Sequence, residues 1–211
     1  MVHRRLPRKE RDMEKRIIFA TGNEGKMREV RMILADLKLP VVSMKEAGVT
    51  GDIIENGTTF EENALIKARA VMERTGEMAL ADDSGLEIDY LDGAPGIYSA
   101  RFMGEDTPYE KKNAAILEKL SGVPEQERTA RFVCAIACVM PDGTELTSRG
   151  TMEGRIAYEI RGENGFGYDP IFYLPECGCS SAQISPEQKN ELSHRGKALR
   201  SMKEKLRAYW E

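Results

Sequence analysis

The sequence predicts an α/β protein in which helices flank a mixed β-sheet. A strand, a glycine turn and a helix follow one another near the N-terminus, a long antiparallel hairpin occupies the middle, and helical periodicity returns at the C-terminus. The 211 residues, 41% of them hydrophobic, suffice for one domain with a full core and room for two lobes. The longest apolar run covers residues 132–140, too short for a membrane-spanning helix, so we expect no membrane association.

The first unit favours an anion-binding turn. Residues 16–21 are typical of a short buried strand, residues 22–25 of a turn, and residues 26–37 of an amphipathic helix. Such a unit directs backbone N–H groups and the positive end of the helix at one point, which suits phosphate. The pattern is not a Walker A loop. Glycine turns between a strand and a helix are also ordinary architecture, and that alternative stays open.

A second helix is predicted from Thr58 or Thr59, each of which fits a capping box, to about Arg74, before Gly76. Asn63 and Lys67 form an i,i+4 pair beside its apolar face. An ammonium on such a face needs an anionic partner. A phosphate would serve, and so would a surface glutamate.

Two adjacent carboxylates, Asp82 and Asp83, lie between strand-like residues 78–81 and 86–91. We therefore expect them at a strand end, with their side chains on opposite faces. Protein Mg²⁺ sites use one or two carboxylates plus waters and substrate phosphates. Glu55, which precedes the second helix, is the best candidate for a second carboxylate. A simple polar turn is the alternative.

The remaining elements make the sheet mixed. Thr107 and Pro108 predict an N-cap and first turn for a helix reaching Leu120. Residues 131–140, a turn at 141–144 and residues 145–151 predict an antiparallel hairpin. An apolar strand at 170–174 precedes a cysteine- and serine-rich loop. Ser185 then opens a helical segment, and Ser193 caps a last helix to about residue 210.

Two late motifs offer groups for a base. Phe166, Gly167, Tyr168 and Asp169 combine an aromatic face, room for close approach and a carboxylate that accepts from ring N–H groups; alternatively, the aromatics belong to the core. His194 and Arg195, at the start of the last helix, are donors for a carbonyl oxygen, and Lys189 adds another. The alternative is a buried, satisfied histidine beside a surface ion-pair arginine.

Charge and cysteine content exclude several classes of protein. The first sixteen residues carry +4 and the whole chain −4, which leaves −8 for residues 17–211 and argues against a duplex-binding surface. A basic arm that touches nucleic acid stays as an alternative. No secretory leader is recognisable, so we expect a cytoplasmic protein. The four cysteines lack a Cys-x-x-Cys pattern, which favours reduced structural thiols over zinc.

Six motifs in order resemble the inosine triphosphate pyrophosphatases, the Ham1-like or RdgB-like dITP/XTP pyrophosphatases. The resemblance runs from Ile17 to about Leu206 and leaves residues 1–15 as a charged extension of a single catalytic domain, 16–211. The motifs are Thr21-Gly22-Asn23-x-x-Lys26, Thr59-Phe60-x-Glu62-Asn63-Ala64-x-x-Lys67-Ala68, Ala81-Asp82-Asp83-Ser84-Gly85-Leu86, Gly93-Ala94-Pro95-Gly96-Ile97-Tyr98-Ser99-Ala100-Arg101, Gly165-Phe166-Gly167-Tyr168-Asp169-Pro170 and Ser193-His194-Arg195-Gly196.

The resemblance implies an elongated α/β fold with a long mixed sheet, a substrate cleft between two lobes, a homodimer, and cleavage between the α- and β-phosphates of a purine nucleoside triphosphate. It implies that Glu55 and Asp83 bind Mg²⁺ and that Asp83 accepts a proton. Residues implied to hold the triphosphate are Thr21, Gly22, Asn23, Glu24, Gly25, Lys26 and Lys67. Residues implied to contact the nucleotide are Ser84, Phe166, Gly167, Tyr168, Asp169, Lys189, His194 and Arg195.

The sequence thus predicts a pyrophosphatase for ITP, dITP and XTP. Donors from His194 and Arg195 accept a 6-oxo purine and disfavour the 6-amino group of ATP, because unpaired buried polar groups are costly. GTP shares the 6-oxo group, so its 2-amino group must be the discriminator. The alternatives are a Maf-like pyrophosphatase for another modified nucleotide, a nucleotide-binding regulator without turnover, and a nucleic-acid binder that uses the basic arm.

Overall fold

The computed structural model describes residues 16–210, so the predicted extension at residues 1–15 lies outside it. One seven-stranded sheet has the order β2-β1-β3-β4-β5-β6-β7, parallel from β2 to β3 and antiparallel beyond. The predicted mixed α/β fold is confirmed. The strands are β1 Ile17–Phe19, β2 Val41–Ser43, β3 Ala79–Ile88, β4 Thr129–Val139, β5 Glu145–Ile156, β6 Phe172–Leu174 and β7 Cys179–Ser180.

Five α-helices accompany the sheet within the described residues. On one face of the parallel half, α1 and α5 pack over a core that includes Met27 and Leu199. On the other face, α2 packs over a second core that includes Phe60 and Val71. No helix between residues 16 and 210 is long and apolar enough to cross a bilayer. The helices are α1 Glu24–Leu34, α2 Phe60–Thr75, α3 Tyr109–Lys119, α4 Pro186–Leu192 and α5 His194–Trp210.

Most helix termini follow the capping signals in the sequence. The Thr59 hydroxyl accepts from the Glu62 amide at 3.1 Å, and Gly76 ends α2 in the left-handed region at φ 69°. Ser185 and Gln188 form the capping box of α4. At α5, the Ser193 hydroxyl accepts from the Gly196 amide at 3.0 Å.

Helix α3 departs from its predicted cap. Pro108 occupies the N-cap position, and no side chain caps the helix. The Thr107 hydroxyl instead donates to the Met103 carbonyl at 2.7 Å, because the preceding turn brings that acceptor within reach. The predicted Thr107 cap is therefore wrong, although the helix itself is present.

The predicted strand end at the two aspartates is also wrong. Asp82 and Asp83 lie inside β3, a single ten-residue strand, and pair with Ile136 and Ala135 of β4. Because β4 offers β3 a full-length antiparallel partner, sheet pairing overrides the turn preference of the acidic run. Two short strands, β2 and β7, were not predicted; β7 lies in the expected cysteine- and serine-rich loop.

A strand does end beside the aspartates, but it is β1. Pairing between β1 and β3 is confined to Ile18 with Ala79 and Phe19 with Leu80, and the last contact is the Ala20 amide to the Leu80 carbonyl at 2.7 Å. Beyond this point, one edge of β3 has no neighbouring strand. Ser84 and Gly85 of β3 line the opening that results.

Candidate active site

A cleft of about 480 Å³ lies at the open edge of β3. Its walls come from the turn after β1, from β3, from the loop before β6, and from α3, α4 and α5. Twelve predicted site residues line it, although they are far apart in the sequence. They are Thr21, Gly22, Asn23, Lys26, Ser84, Phe166, Gly167, Tyr168, Asp169, Lys189, His194 and Arg195.

In the turn after β1, two backbone amides that a phosphate-binding loop would offer to its ligand cap a helix instead. The Asn23 side-chain oxygen caps α1 by accepting from the Gly25 amide at 2.8 Å and the Lys26 amide at 3.1 Å. These two N–H groups are therefore occupied, while the Lys26 side chain reaches the cleft. Glu24 is exposed, and neither Glu24 nor Gly25 lies on the cleft wall. The other predicted site residues outside the cleft wall are Glu55, Lys67 and Asp83, which contact one another beside α2.

Asp82 lies on the face of β3 that α1 and α5 cover. Its carboxylate oxygen Oδ2 is 2.8 Å from Lys26 Nζ and 3.2 Å from Arg195 Nε. Burial by itself would raise the pKa of Asp82, but the cations of Lys26 and Arg195 hold that pKa well below its ordinary value. Asp82 is thus a buried anion, and it was not among the predicted site residues.

Arg195 is held on three sides. Besides Asp82, its guanidinium donates to Glu29 Oε2 at 2.8 Å and to Ser84 Oγ at 3.2 Å. Only 3% of the residue is exposed, so the alternative of a surface ion-pair arginine is wrong. Three of its five N–H groups are used in these contacts, which leaves two for a ligand.

Asp83 lies on the opposite face of β3, beside α2. Its Oδ2 accepts from Asn63 Nδ2 at 3.1 Å, and its Oδ1 lies 3.9 Å from Lys67 Nζ. Lys67 also donates to Glu55 Oε2 at 2.9 Å, so its predicted anionic partner is a glutamate. Burial raises the pKa of Asp83, and the proximity of Lys67 only partly offsets that rise.

Glu55 and Asp83 fit a magnesium site. Both carboxylates lie within 3.9 Å of the same ammonium, so together they offer hard oxygen donors on two sides of one cationic group. Between residues 16 and 210 no group of three or more Asp, Glu, His or Cys side chains could hold a metal. A two-carboxylate site suits Mg²⁺, which retains waters and binds substrate phosphates, better than it suits zinc.

The loop before β6 supplies an aromatic face. Phe166 is 51% exposed, with Lys189 Nζ 4.7 Å and Arg195 Cζ 5.8 Å from its ring centroid. Tyr168, by contrast, is buried, and its hydroxyl donates to the Ser99 carbonyl at 2.7 Å. The two aromatics therefore differ. Phe166 is accessible, as stacking on a base requires, whereas Tyr168 is a core aromatic, as the alternative interpretation has it.

Asp169 organises this loop. Its Oδ2 accepts from the Phe166 amide at 2.8 Å and pairs with Lys189, while its Oδ1 accepts from Ser181 Oγ at 2.9 Å. A Cβ on Gly165, which has φ 77°, would lie 2.3 Å from this carboxylate, so only glycine fits there. Asp169 therefore shapes the cleft even before a ligand is considered.

His194 is buried in surroundings that favour its neutral form. Its ring stacks on Phe132 at 5.0 Å between centroids, and burial together with Arg195 and Lys189 lowers its pKa well below the ordinary value. Among the described residues, its Nδ1 has no hydrogen-bond partner despite being buried. The alternative of a satisfied core histidine is therefore wrong, and a ring nitrogen is left for a ligand in the cleft.

Helix α3 contributes residues that the sequence did not indicate. Tyr109 lines the cleft and contacts Tyr168 edge-on at 5.2 Å. Asn113 Nδ2 donates to the Gly167 carbonyl at 3.1 Å, and Asn113 Oδ1 is buried without a partner in the described chain. No local pattern marks these residues, because only the packing of α3 against the loop before β6 brings them to the site.

Comparison with known proteins gives a consistent result. The sequence model of the Ham1 family matches residues 17–205. A dITP/XTP pyrophosphatase from Vibrio parahaemolyticus is 50% identical over 196 residues, or 92% of this chain and 98% of that protein. A dITP/XTP pyrophosphatase from Nitratidesulfovibrio vulgaris is 49% identical over 200 residues, covering 92% and 97% of the two chains.

Solved structures resemble the fold over a similar length. A HAM1 protein from Coxiella burnetii superposes with a TM-score of 0.85 at 41% identity, covering 92% of this chain and 99% of that one. The Ham1 protein from Staphylococcus aureus gives the same TM-score and identity, with 92% and 100% coverage.

Proposed function

This chain belongs to the Ham1 family, and from that premise we propose that it hydrolyses ITP, dITP and XTP to the nucleoside monophosphate and pyrophosphate. Relatives that are about half identical along nearly their whole length are named dITP/XTP pyrophosphatases. The observation that carries the proposal is that Glu55 and Asp83 meet at Lys67, and that Asp83 directly precedes Ser84, which lines the cleft together with Phe166 and His194. Removal of these nucleotides would cleanse the nucleotide pool.

Asp83 is the proton acceptor in this proposal. Hydrolysis of a phosphoanhydride needs an oriented water and neutralised charge more than it needs a protein nucleophile. Burial raises the pKa of Asp83, which makes its carboxylate a stronger base than that of an exposed aspartate. Asn63, which donates to one carboxylate oxygen, fixes the orientation of the other.

Lysines on both faces of β3 provide charge for the triphosphate. Lys67 is 14% exposed at its side chain and lies between Glu55 and Asp83. Lys26, paired with Asp82, lies on the cleft wall beside the turn after β1. Mg²⁺ held by Glu55 and Asp83 would neutralise phosphate charge and polarise the scissile bond.

The base end of the cleft favours a 6-oxo purine. A neutral imidazole donates from one ring nitrogen only, and the buried Nδ1 of His194 has no partner within the described chain. With the remaining N–H groups of Arg195, it offers donors to a carbonyl oxygen. The 6-amino group of ATP would face another donor, and each unpaired buried polar group costs about 1–3 kcal/mol.

Steady-state hydrolysis of ITP, XTP, GTP and ATP with Mg²⁺, with pyrophosphate and orthophosphate assayed separately, tests the function. We expect pyrophosphate release that strongly favours ITP and XTP. Orthophosphate as the first product would indicate a phosphatase, and tight binding without turnover would indicate a regulator. Preference for a different modified nucleotide would indicate a Maf-like activity.

A homodimer in the cytoplasm completes the proposal. Both features rest on the resemblance to the inosine triphosphate pyrophosphatases, whose substrates belong to the soluble nucleotide pool. Sedimentation equilibrium of the full chain, at concentrations spanning the assay range, is the direct measurement of the oligomeric state. A single monomeric species at every concentration would contradict the dimer.

A further inference from the structure

Two of the four cysteines lie together on the surface, away from the proposed chemistry. Cys177 is exposed and Cys179 is partly exposed, whereas Cys134 and Cys138 are buried in the core under α1 and α5. Cys177 lies in the turn between β6 and β7 and Cys179 begins β7, so only Gly178 separates them. The sequence pattern favoured structural thiols; Cys179 packs partly against a hydrophobic core, whereas the exposed Cys177 thiol contributes little to packing.

The turn between β6 and β7 keeps the backbone of the two cysteines close together. The amides of Cys177 and Gly178 both donate to the Leu174 carbonyl, at 3.1 and 3.0 Å, and Leu174 pairs with Cys179 across the hairpin. Two Cα atoms with one residue between them are separated by no more than about 7 Å in a fully extended chain, and a turn is shorter than an extended chain. Disulfides span about 4.4–6.8 Å between Cα atoms.

The surroundings also permit the side chains to move together. Gly178 has φ 66°, and a Cβ built on it meets no atom within 4 Å, so the space beside the turn is open.

We propose that Cys177 and Cys179 are a reversible dithiol–disulfide site that reacts with low-molecular-weight disulfides. The Cys177 thiolate attacks one sulfur of the reagent and releases a thiolate, leaving a mixed disulfide on Cys177. The Cys179 thiolate then attacks the Cys177 sulfur and releases the second thiolate. The protein loses two protons and two electrons, and the reagent is reduced to two thiols.

The site adjoins the loop that shapes the cleft. Ser181, two residues after Cys179, donates to Asp169 Oδ1 at 2.9 Å, and Ser180 Oγ donates to the Arg161 carbonyl at 2.6 Å. The oxidised bond would therefore form next to residues that hold Asp169. An exposed disulfide in so short a loop belongs to the labile class that thiols reduce readily.

Mass spectrometry of the full chain tests the proposal without measuring activity. The folded protein is treated with excess oxidised glutathione, free thiols are then alkylated, and the tryptic peptide covering residues 162–189 is analysed. We expect this peptide to lose two hydrogen atoms and to recover them with dithiothreitol. The peptide that contains Cys134 and Cys138 should be alkylated only after unfolding, which makes it an internal control.

Single variants separate the disulfide from unrelated oxidation. Cys177→Ser and Cys179→Ser each leave one thiol, so we expect a stable glutathione adduct on the remaining cysteine instead of the loss of two hydrogens. Two glutathione adducts on the wild-type peptide, or no reaction while the variants react, would overturn the proposal. The same loss of two hydrogens in either variant would overturn it as well.

Discussion

Asp82 and Asp83 are consecutive residues of β3, yet the two faces of the strand give them opposite electrostatic surroundings. Asp82 is 1% exposed and lies between two cations, which lower its pKa. Asp83 is 9% exposed and shares a single lysine with Glu55, and burial raises its pKa. The first surroundings stabilise the charged carboxylate, whereas the second disfavour it.

The comparison shows that the environment, rather than the residue type, assigns the role. Two carboxylates whose surroundings move their pKa values apart are typical of a division between structural and chemical work. Asp82 fastens α1 and α5 to the sheet through Lys26 and Arg195. Asp83 is the residue to which we assign the chemistry in our proposal. Five changes test this division.

The largest expected effect belongs to Asp83→Asn. Because the variant keeps the shape but removes the proton acceptor and a metal ligand, we expect kcat to fall by about 10²- to 10⁴-fold. The thermal midpoint should stay close to that of the wild type. Steady-state kinetics with ITP and a thermal melt check this, and unchanged kcat would remove Asp83 from the chemistry.

Asp82→Asn is the matched change on the other face. It leaves the partly exposed Lys26 and the buried Arg195 with one anion fewer, which costs about 3–5 kcal/mol of unfolding free energy. Urea unfolding of the variant beside the wild type measures this. If stability is retained while kcat collapses, the two faces have been assigned the wrong way round.

Glu55→Gln probes the metal side of the comparison. Loss of a residue that merely hydrogen-bonds a metal ligand weakens metal binding about 10- to 100-fold. Loss of a ligand itself should therefore raise the Mg²⁺ concentration for half-maximal activity by at least the same factor. Glu61→Gln is the control, since Glu61 pairs with Arg149 at 2.8 Å and does not contact Asp83 or Lys67. Equal magnesium requirements in the two variants would count against the site.

Phe166→Ala probes the base end, which adjoins Arg195. Base–aromatic stacking contributes about 1–3 kcal/mol, so we expect the KM for ITP to rise about 5- to 100-fold with little change in kcat. Tyr158→Ala is the control, because Tyr158 is an exposed aromatic under Arg128 and lies outside the cleft. A fall in kcat alone would mean that Phe166 does not bind the base.

The smallest effect concerns His194 and the pH dependence of stability. Its pKa in the folded protein is lowered, so below the unfolded value of about 6.5 the unfolded chain binds the extra proton. Unfolding free energy should therefore fall as pH decreases below about 6.5, by up to about 1.4 kcal/mol per unit. His194→Asn should lack this component; parallel stability curves for the two proteins would show that His194 titrates normally.

Local sequence signals predicted an element correctly where residues close together in the sequence determine it. The Thr59 and Ser185 caps, the glycine that ends α2 and the β4–β5 hairpin follow from short-range preferences, and all are present. The predicted strand end at Asp82 failed because β4, more than forty residues later, extends the pairing. A local preference for a turn is overridden when a full-length partner strand is available for pairing.

Site residues were likewise predicted where a local motif marks them and missed where only distant contacts bring them to the site. Twelve predicted residues line the cleft, and the opposite orientation of Asp82 and Asp83 was predicted from strand geometry alone. Tyr109 and Asn113 were missed because nothing near them in the sequence marks a ligand. The buried position of Arg195 could not be foreseen either, since its partners Glu29, Asp82 and Ser84 come from two distant elements.

The sequence by itself determined the order of the elements, the alternation that separates Asp82 from Asp83, and the motifs that resemble one family. The tertiary structure alone decided that β1 stops beside Asp82, that Lys67 joins Glu55 to Asp83, and that burial raises one carboxyl pKa while cations lower the other. The physical reason is the distance along the chain over which each effect acts. Periodicity and capping act over a few residues, whereas desolvation and charge depend on groups that only folding brings together.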